Sequence, residues 1–503
     1  MNASRQLRVY DTRQGKKVPF EPVSAGQVGI YSCGITVYDL CHVGHARMMV
    51  AFDIIVRHLR ASGLAVRFVR NVTDVDDKII RRALAEQRTA GEVAYEYTLK
   101  MEEDLRALGV RPADVEPRAT EHIAEVIEIV RRLEERKLAY AAEGDVYYSV
   151  GAFARYGQLS GQSTDDLRAG ARIEVGEHKR SPLDFALWKA AKPGEPSWPS
   201  PWGDGRPGWH IECSAMAHRY LGEPFDIHGG GSDLIFPHHE NEIAQSEGAF
   251  GDGRFARHWL HSGMVTFGGE KMSKSLGNVV GIRQVAETHD LEALRLLFAS
   301  VHYRSPVGFE IAREAAGETG ERIGYPDLDE AERRLEYFYL TLEQLASLPA
   351  LEGADEDGPV VAPADRTLSL FGEAMDDDFN TAAAIGHLSD AFGLANKLLA
   401  EPKAAPKDVR RRTLARLRTD LAKCGETLGI FQRPPAEFLR ARRDRLCVRR
   451  AIDAAEVDAR IVERQNARAA KDFTRADEIR KALQARGIEL QDTPAGTTWR
   501  VVA

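Results

Sequence analysis

Cysteine is scarce in this chain, and its placement excludes a disulfide scaffold. Five cysteines, an odd number spread from Cys33 to Cys447 over 503 residues, form no closely spaced pairs, so reduced thiols or metal ligands are expected. Long apolar runs are missing too. No stretch approaches the roughly 18 uninterrupted apolar residues of a membrane span, and Met1-Asn2-Ala3-Ser4-Arg5 holds no apolar signal core, so a cytoplasmic protein is expected. There is no CxxC pair, no HExxH element and no internal repeat. Nor is there an overall basic charge: the formal net charge of −8 argues against a general nucleic-acid binder.

Composition is otherwise that of a folded protein. With 43% hydrophobic residues the chain can bury real cores, and its length suits roughly three or four domains. Charge is unevenly placed. From Phe431 to Ala503, 16 Lys/Arg face 11 Asp/Glu, and just upstream Lys403, Lys407, Arg410, Arg411, Arg412, Arg416 and Arg418 face only Asp408 and Asp420. That pattern reads equally as a solvated helix face or as a surface for RNA.

Two short segments carry most of the chemical information. His42-Val43-Gly44-His45 follows the strand-like run Gly29-Ile30-Tyr31-Ser32. It opens a helix whose apolar positions Met48, Phe52, Ile55, Val56 and Leu59 recur at helical spacing until Gly63. Free N–H groups and the dipole at such a helix start favour an anion, and Gly44 lets a nucleotide approach. His42 and His45 would flank its phosphates as donors. The second segment, Lys271-Met272-Ser273-Lys274-Ser275, sets two lysines between Gly268-Gly269 and Gly277-Asn278, as a cationic loop able to cover a triphosphate.

The intervening pattern is α/β. Strand Leu64 to Arg70 precedes Asn71 to Asp77, which caps a helix near Lys78. From about Ala113 the character changes, through a helix carrying Ile123, Ile127, Val130 and Leu133, a strand-like run Asp145 to Val150, and a stretch rich in proline and tryptophan, Ser181 to Gly208. The sheet pattern is expected to resume at Trp209, with Cys213 beside a strand end. Helices begin again at Leu291, break at the acidic stretch Leu348 to Asp365, and continue to about Phe431. Beyond Pro434-Pro435 one or two helices and short strands near Ile488 and Thr498 are expected.

The expected architecture is a Rossmann-like doubly wound parallel-sheet domain with an inserted connective module, an α-helical bundle and a small mixed α/β C-terminal domain. Its boundaries are 1–112 and 208–325 for the two Rossmann halves, 113–207 for the module, 326–432 for the bundle and 433–503 for the last domain.

Cys33 ends the strand before the histidine turn, Cys213 lies in Gly208 to Ser214, and His238 and Glu242 share one helix face at i, i+4 if His238-His239-Glu240-Asn241-Glu242 starts a helix. Two thiolates, one imidazole and one carboxylate would make a tetrahedral zinc shell. Spacing alone leaves open two buried cysteines and a charged helix face. Cys41, Cys424 and Cys447 read as small apolar residues.

In this order, the first two segments resemble the HIGH and KMSKS signatures of class I aminoacyl-tRNA synthetases, with Val43 replacing isoleucine. Cys33, Gly208 to Met216, Phe236 to Glu242 and Arg70 to Ile80 look like cysteinyl-tRNA synthetase. The resemblance spans almost the whole chain. It implies ATP-dependent activation of L-cysteine and its transfer to the terminal adenosine of tRNA-Cys, with Mg²⁺ accompanying ATP and one zinc ion held by Cys33, Cys213, His238 and Glu242. It implies catalytic roles for His42, His45, Lys271 and Lys274. Gly44, Gly231, Asp233 and Lys274 would bind ATP, Thr73 and Trp209 would enclose cysteine, and His210 and His261 could line the pocket. A monomer with no membrane partner is expected.

Asp376 to Thr381, Arg468 to Arg480, Gly487-Ile488 and Asp492 to Arg500 resemble the tRNA-binding half, favouring tRNA over an amino-sugar acceptor of the mycothiol type. Three departures stand out: Ile35 and Ala382 replace prolines common in the family, and Arg81 replaces the second lysine of a Lys78 pair linked to pyridoxal-phosphate-dependent persulfide formation. Arginine cannot form the Schiff base. A zinc peptidase and a non-catalytic RNA-binding paralogue are the readings from other classes. The first has no use for the Lys271 to Ser275 loop, and the second has no need of both phosphate signatures.

Overall fold

The centre of the protein, in a computed structural model describing residues 6–163, 178–253, 255–268, 270–271, 279–316, 320–349, 358–493 and 496–502, is a four-stranded parallel sheet. Its order is Ala256–Ser262, Phe225–Gly231, Gln27–Thr36, Ala65–Thr73. Parallel neighbours need crossover connections, here the helices Val43–Ala61 and Glu240–Phe250. Alternate residues of Gln27–Thr36 serve opposite faces. Val28 and Ile30 join Met48, Phe52, Ile55, Val56 and Leu59 in one core cluster, while Tyr31 and Cys33 join Cys213, Met216 and Ile243 in another. Phe52 packs onto the sheet because Gly229 has no side chain: a Cβ there would lie 2.1 Å from Phe52 Cζ.

The chain leaves Gln27–Thr36 toward Ala65–Thr73 on one side and returns with Phe225–Gly231 on the other. The order therefore reverses between Gln27–Thr36 and Phe225–Gly231, and such a reversal opens a crevice at the carboxyl ends of the strands.

Three expectations need correction. Cys213 lies within the helix Trp209–Leu221, not beside a strand end. Gly208 is its N-cap, and Ile211, Ala215 and Met216 are buried at helical spacing; the next strand starts at Phe225. The chain also leaves the sheet later than residue 113: the N–H groups of Asp114 and Val115 donate to the Phe68 carbonyl at 2.9 and 3.2 Å, and Val115 and Arg118 bridge Val69 and Val72 in parallel. The tail holds three helices, Pro435–Arg449, Ala454–Ala469 and Phe473–Ala485, before the hairpin Ile488–Thr493 and Gly496–Val501. Two of the breaks fall at Ala451 (φ 51°) and Lys471 (φ 60°), left-handed positions with no glycine or proline to announce them.

The inserted module is an antiparallel sheet of Ala139–Ala142, Asp145–Tyr148, Phe185–Ala190 and Gly205–Pro207, with Trp188 buried at its centre. The bundle contains Pro326–Ala346, Thr367–Asp376, Thr381–Ala400 and Lys407–Leu428. Of the acidic connection, residues 350–357 lie outside the described residues. No helix among the described residues is long and apolar enough to cross a membrane.

A buried charge cluster joins the Rossmann-like catalytic half to the helical half, the bundle. Asp53 takes Arg57 Nε at 2.7 Å, the Arg111 N–H at 3.0 Å and the Arg295 guanidinium. Arg57 reaches on to the carbonyls of Glu426 (3.1 Å) and Gly109 (2.8 Å), and Arg295 Nε to that of Leu428 (2.6 Å). Burial alone would raise the Asp53 pKa, but Arg295 and Arg57 outweigh it and hold the carboxyl below its ordinary value. Because the folded pKa is depressed, this stability is complete above the unfolded value of about 3.9 and is lost as pH falls through the lower folded value. Asp53→Ala leaves two buried guanidinium groups without a carboxylate and should cost about 3–5 kcal/mol. Urea denaturation at pH 7 checks this; an unchanged midpoint would refute it.

Candidate active site

Three elements bring the proposed metal ligands together. Cys33 comes from the strand Gln27–Thr36, Cys213 from the helix Trp209–Leu221, and His238 and Glu242 from the turn and first helical residues around Glu240. The ligand atoms of all four lie within 4.8 Å of one another, and all four residues are buried. Cys33 Sγ is 3.9 Å from Cys213 Sγ and 3.6 Å from Glu242 Oε1, and His238 Nε2 is 3.1 Å from Glu242 Oε1. Cys33, His228, His239 and Glu242 form a second, overlapping set.

His228 and His239 carried no assignment from the sequence. His228 Nε2 lies 2.8 Å from Glu242 Oε2, and His239 Nε2 lies 3.3 Å from Cys33 Sγ. The chain of contacts runs outward from His239 Nδ1 to His261 Nε2 at 2.7 Å and from His261 Nδ1 to Thr12 Oγ1 at 2.7 Å. On the other side His210 Nδ1 meets His238 Nδ1 at 2.9 Å. The His238-His239 doublet and a histidine heading the glycine run at 228 were the available signals.

Burial governs the electrostatics. It depresses His238 and His239 well below the ordinary histidine value and holds His228 and His261 at about 3, so these rings are neutral at pH 7 and keep a lone pair. The same burial raises Glu242 well above the carboxylate range. It also raises the Cys33 thiol, helped by Cys213 and Glu242. Among the described residues no lysine or arginine pairs with these donors, so a bound cation would take the place of their protons. Soft sulfur, neutral imidazole and one carboxylate fit zinc.

The histidine turn opens the helix Val43–Ala61 as expected, with a refinement. His42 is the N-cap: its Nδ1 accepts the His45 N–H at 3.2 Å, and His45 Nδ1 accepts the His42 N–H at 3.4 Å, with the rings stacked at 3.6 Å. Nδ1 is an acceptor on both rings, so in the neutral form each carries its proton on Nε2. Donation to phosphate is therefore a task for Nε2. Gly44 lies in the first helical turn, which contains no acid.

The lysine segment is rooted beside this turn. Glu270–Lys271 pairs antiparallel with Val265–Phe267, and downstream the Val43 N–H donates to the Val280 carbonyl and the Ile282 N–H to that of Cys41, each at 3.0 Å. The Lys271 backbone is thereby placed. Its side chain and all of Lys274 lie outside the described residues.

Thr73 ends the strand Ala65–Thr73 and is buried, its hydroxyl accepting from Asn71 Nδ2 at 3.1 Å; Asn71 Oδ1 in turn accepts the Gly34 N–H at 2.8 Å. Trp209 is 38% exposed and stacks on His238 at 4.3 Å. Gly231 ends its strand, and a Cβ there would lie 2.5 Å from Asp233 Oδ1, so glycine leaves that carboxylate its position.

Known proteins share these features. The family model for the class I (C) tRNA synthetase catalytic domain matches residues 19–316, the DALR domain model matches 370–432, and the cysteinyl-tRNA ligase anticodon binding domain model matches 454–500. Cysteine–tRNA ligase of Anaeromyxobacter sp. (strain Fw109-5) is 51% identical over 98% of this chain and 99% of its own length. That of Oleidesulfovibrio alaskensis is 49% identical over 98% and 100%. Among solved structures, Mycobacterium tuberculosis methionyl-tRNA synthetase with methionyl-adenylate matches 82% of this chain and 93% of its own at TM-score 0.55 and 15% identity. Thermus thermophilus arginyl-tRNA synthetase matches 82% and 83% at TM-score 0.52 and 14% identity; likeness at these identities speaks for the fold alone. With a synthetase catalytic-domain match over more than half its length and half-identical relatives over nearly all of it, the chain belongs to the cysteine–tRNA ligase family of class I aminoacyl-tRNA synthetases.

Proposed function

We propose that the chain activates L-cysteine with ATP-Mg²⁺ and transfers the cysteinyl group to the terminal adenosine of tRNA-Cys, acting as a cytoplasmic monomer with one zinc ion. The observation that carries this reading is the gathering of Cys33, Cys213, His238 and Glu242 at the end of the strand that leads into the capped histidine helix. With the boundary moved past Arg118, the residues up to there and 208–325 are read as the catalytic core and the stretch between them as its insertion. The bundle 326–432 and the tail 433–503 are read as the tRNA-facing part.

In the first step a cysteine carboxylate oxygen attacks the α-phosphorus and the bond to pyrophosphate breaks. In the second a ribose hydroxyl attacks the carbonyl carbon and AMP leaves. The protein's work is to place charge and hold geometry. The helix start at His42 and the Nε2–H groups of His42 and His45 would donate to the phosphates, and Lys271 and Lys274 are assigned as the cations that neutralise them. Asp233, beside Gly231, takes the adenosine ribose, and Thr73 and Trp209 close around the amino acid.

Cys33, Cys213, His238 and Glu242 would hold the zinc, with His228 and His239 orienting Glu242 and Cys33 from outside. When bound, zinc supplies a soft acceptor for the substrate's sulfur, which serine's hydroxyl cannot match. An apolar pocket would separate such small side chains by only about 1–3 kcal/mol.

Cysteine-dependent ATP–pyrophosphate exchange, with serine as control, followed by charging of unfractionated tRNA, tests the whole reading. Exchange and charging with cysteine alone are expected; exchange without charging would remove tRNA as acceptor. Lys274→Ala should lower kcat for exchange by roughly 10²–10³ while zinc content stays constant, and normal exchange would discard that role. Metal analysis should find about one zinc per chain in the native protein. In Cys213→Ala both zinc occupancy and cysteine activation should fall, and retention of both would remove Cys213 from the ligand set.

A further inference from the structure

We propose that Asp378 is a positioning residue for the adenylate-forming step, acting through the segment 302–305, which joins the histidine turn to the hairpin leading to Lys271. The proposal rests on reading those two elements as the phosphate-binding apparatus.

Asp376, Asp377 and Asp378 lie at the end of the helix Thr367–Asp376 and turn toward the catalytic half. Asp376 Oδ1 is 2.9 Å from His58 Nε2, and Asp377 Oδ1 is 2.8 Å from Lys17 Nζ. Those two contacts are at least partly open to solvent. Asp378 is different, being fully buried at φ 65°. A left-handed aspartate persists where its surroundings hold it, and here they do. Its carboxylate accepts from the Tyr10 N–H at 2.8 Å, Tyr303 Oη at 3.0 Å and Arg304 Nε at 2.7 Å, with His302 Nε2 3.5 Å away. Three consecutive residues, His302, Tyr303 and Arg304, thus converge on one carboxylate supplied by the helical half.

The same segment grips both catalytic elements. Arg47, on the histidine helix just past His45, is buried and donates to the carbonyls of Phe298 at 2.5 Å and His302 at 2.7 Å, with longer contacts of 3.4 Å to Val301 and Ser305. On the other side the Gly263 N–H donates to the Tyr303 carbonyl at 2.8 Å and the Val307 N–H to that of Met264 at 2.9 Å. Met264 runs straight into Val265–Phe267, the partner of Glu270–Lys271. The fit has no slack, since a Cβ on Gly263 would lie 2.2 Å from the Ser305 carbonyl oxygen.

One short segment therefore sets the distance between the helix start and the strand that ends at Lys271, and Asp378 fixes that segment from outside the catalytic half. Stabilising the charge that develops on the leaving pyrophosphate depends on cations and donors placed on two sides of one group, where an error of about 1 Å can cost roughly 10²-fold in rate.

Asp378→Asn keeps the shape and removes the charge. The measurement is single-turnover cysteinyl-adenylate formation by the zinc-loaded full chain, separating rate constant from amplitude. Wild-type protein runs first, and its failure to form adenylate would retire the functional reading itself. Given wild-type activity, the variant should form adenylate about tenfold or more slowly per active molecule, with zinc content retained. A wild-type rate constant at reduced amplitude would mean that Asp378 only contributes to folding and would overturn the proposal, as would unchanged kinetics. If Asp378→Asn does not fold, Tyr303→Phe removes one donor to Asp378 without adding volume. A slower rate constant there supports the proposal, and an unchanged one overturns it.

Discussion

Everything at the site depends on the strand Gln27–Thr36 having parallel partners on both sides. Strand Ala65–Thr73 arrives by the crossover through Val43–Ala61, whereas Phe225–Gly231 arrives only after the long excursion through the inserted module. The two paths diverge at the switch point, the place where parallel sheets of this kind open a crevice. Cys33 stands at that end on one face, while the chain beyond it turns into the histidine helix on the other. Alternation along a single strand thus puts the Cys33 cluster and the histidine helix on opposite faces of the sheet.

The donor cluster beneath this crevice is costly to build from side chains alone. Two thiols, a carboxylate and several imidazoles sit out of water without a lysine or arginine partner among the described residues, and burial drives Cys33, Glu242 and His238 toward their neutral forms. A divalent cation would resolve that conflict by replacing the protons, and the outer contacts of His228, His239 and His261 hold the donors facing inward.

The helical half is joined to the catalytic half by charge as well as by apolar packing. Asp53, Arg57 and Arg295 bind the middle of the histidine helix to carbonyls at the end of Lys407–Leu428, and Asp378 binds the segment beside Arg47. Both joints are buried, and in each an acid meets donors from several elements, so either half can shift only by leaving charges unpaired. A bundle read as facing tRNA is in this way tied by charge to the histidine helix.

Much of this was legible in the residue order. The helix after His42 announced itself through Met48, Phe52, Ile55, Val56 and Leu59, all buried as their spacing required, and the cap at Asp76 through its side chain. The final hairpin followed from its β-rich ends. Cys213 was misplaced because a short apolar segment between glycines has the same appearance in a helix and in a strand. The third tail helix escaped because Ala451 and Lys471 adopt a backbone conformation that their side chains do not advertise. The local elements and the residue types suited to zinc and phosphate were readable from residue order, since those depend on neighbours a few positions away. It took the folded chain to set Cys33 and Cys213 3.9 Å apart, to bring His228 and His239 to them, and to turn Asp378 inward. Strand pairing and helix packing bring together side chains hundreds of positions apart, and no local periodicity encodes such a meeting.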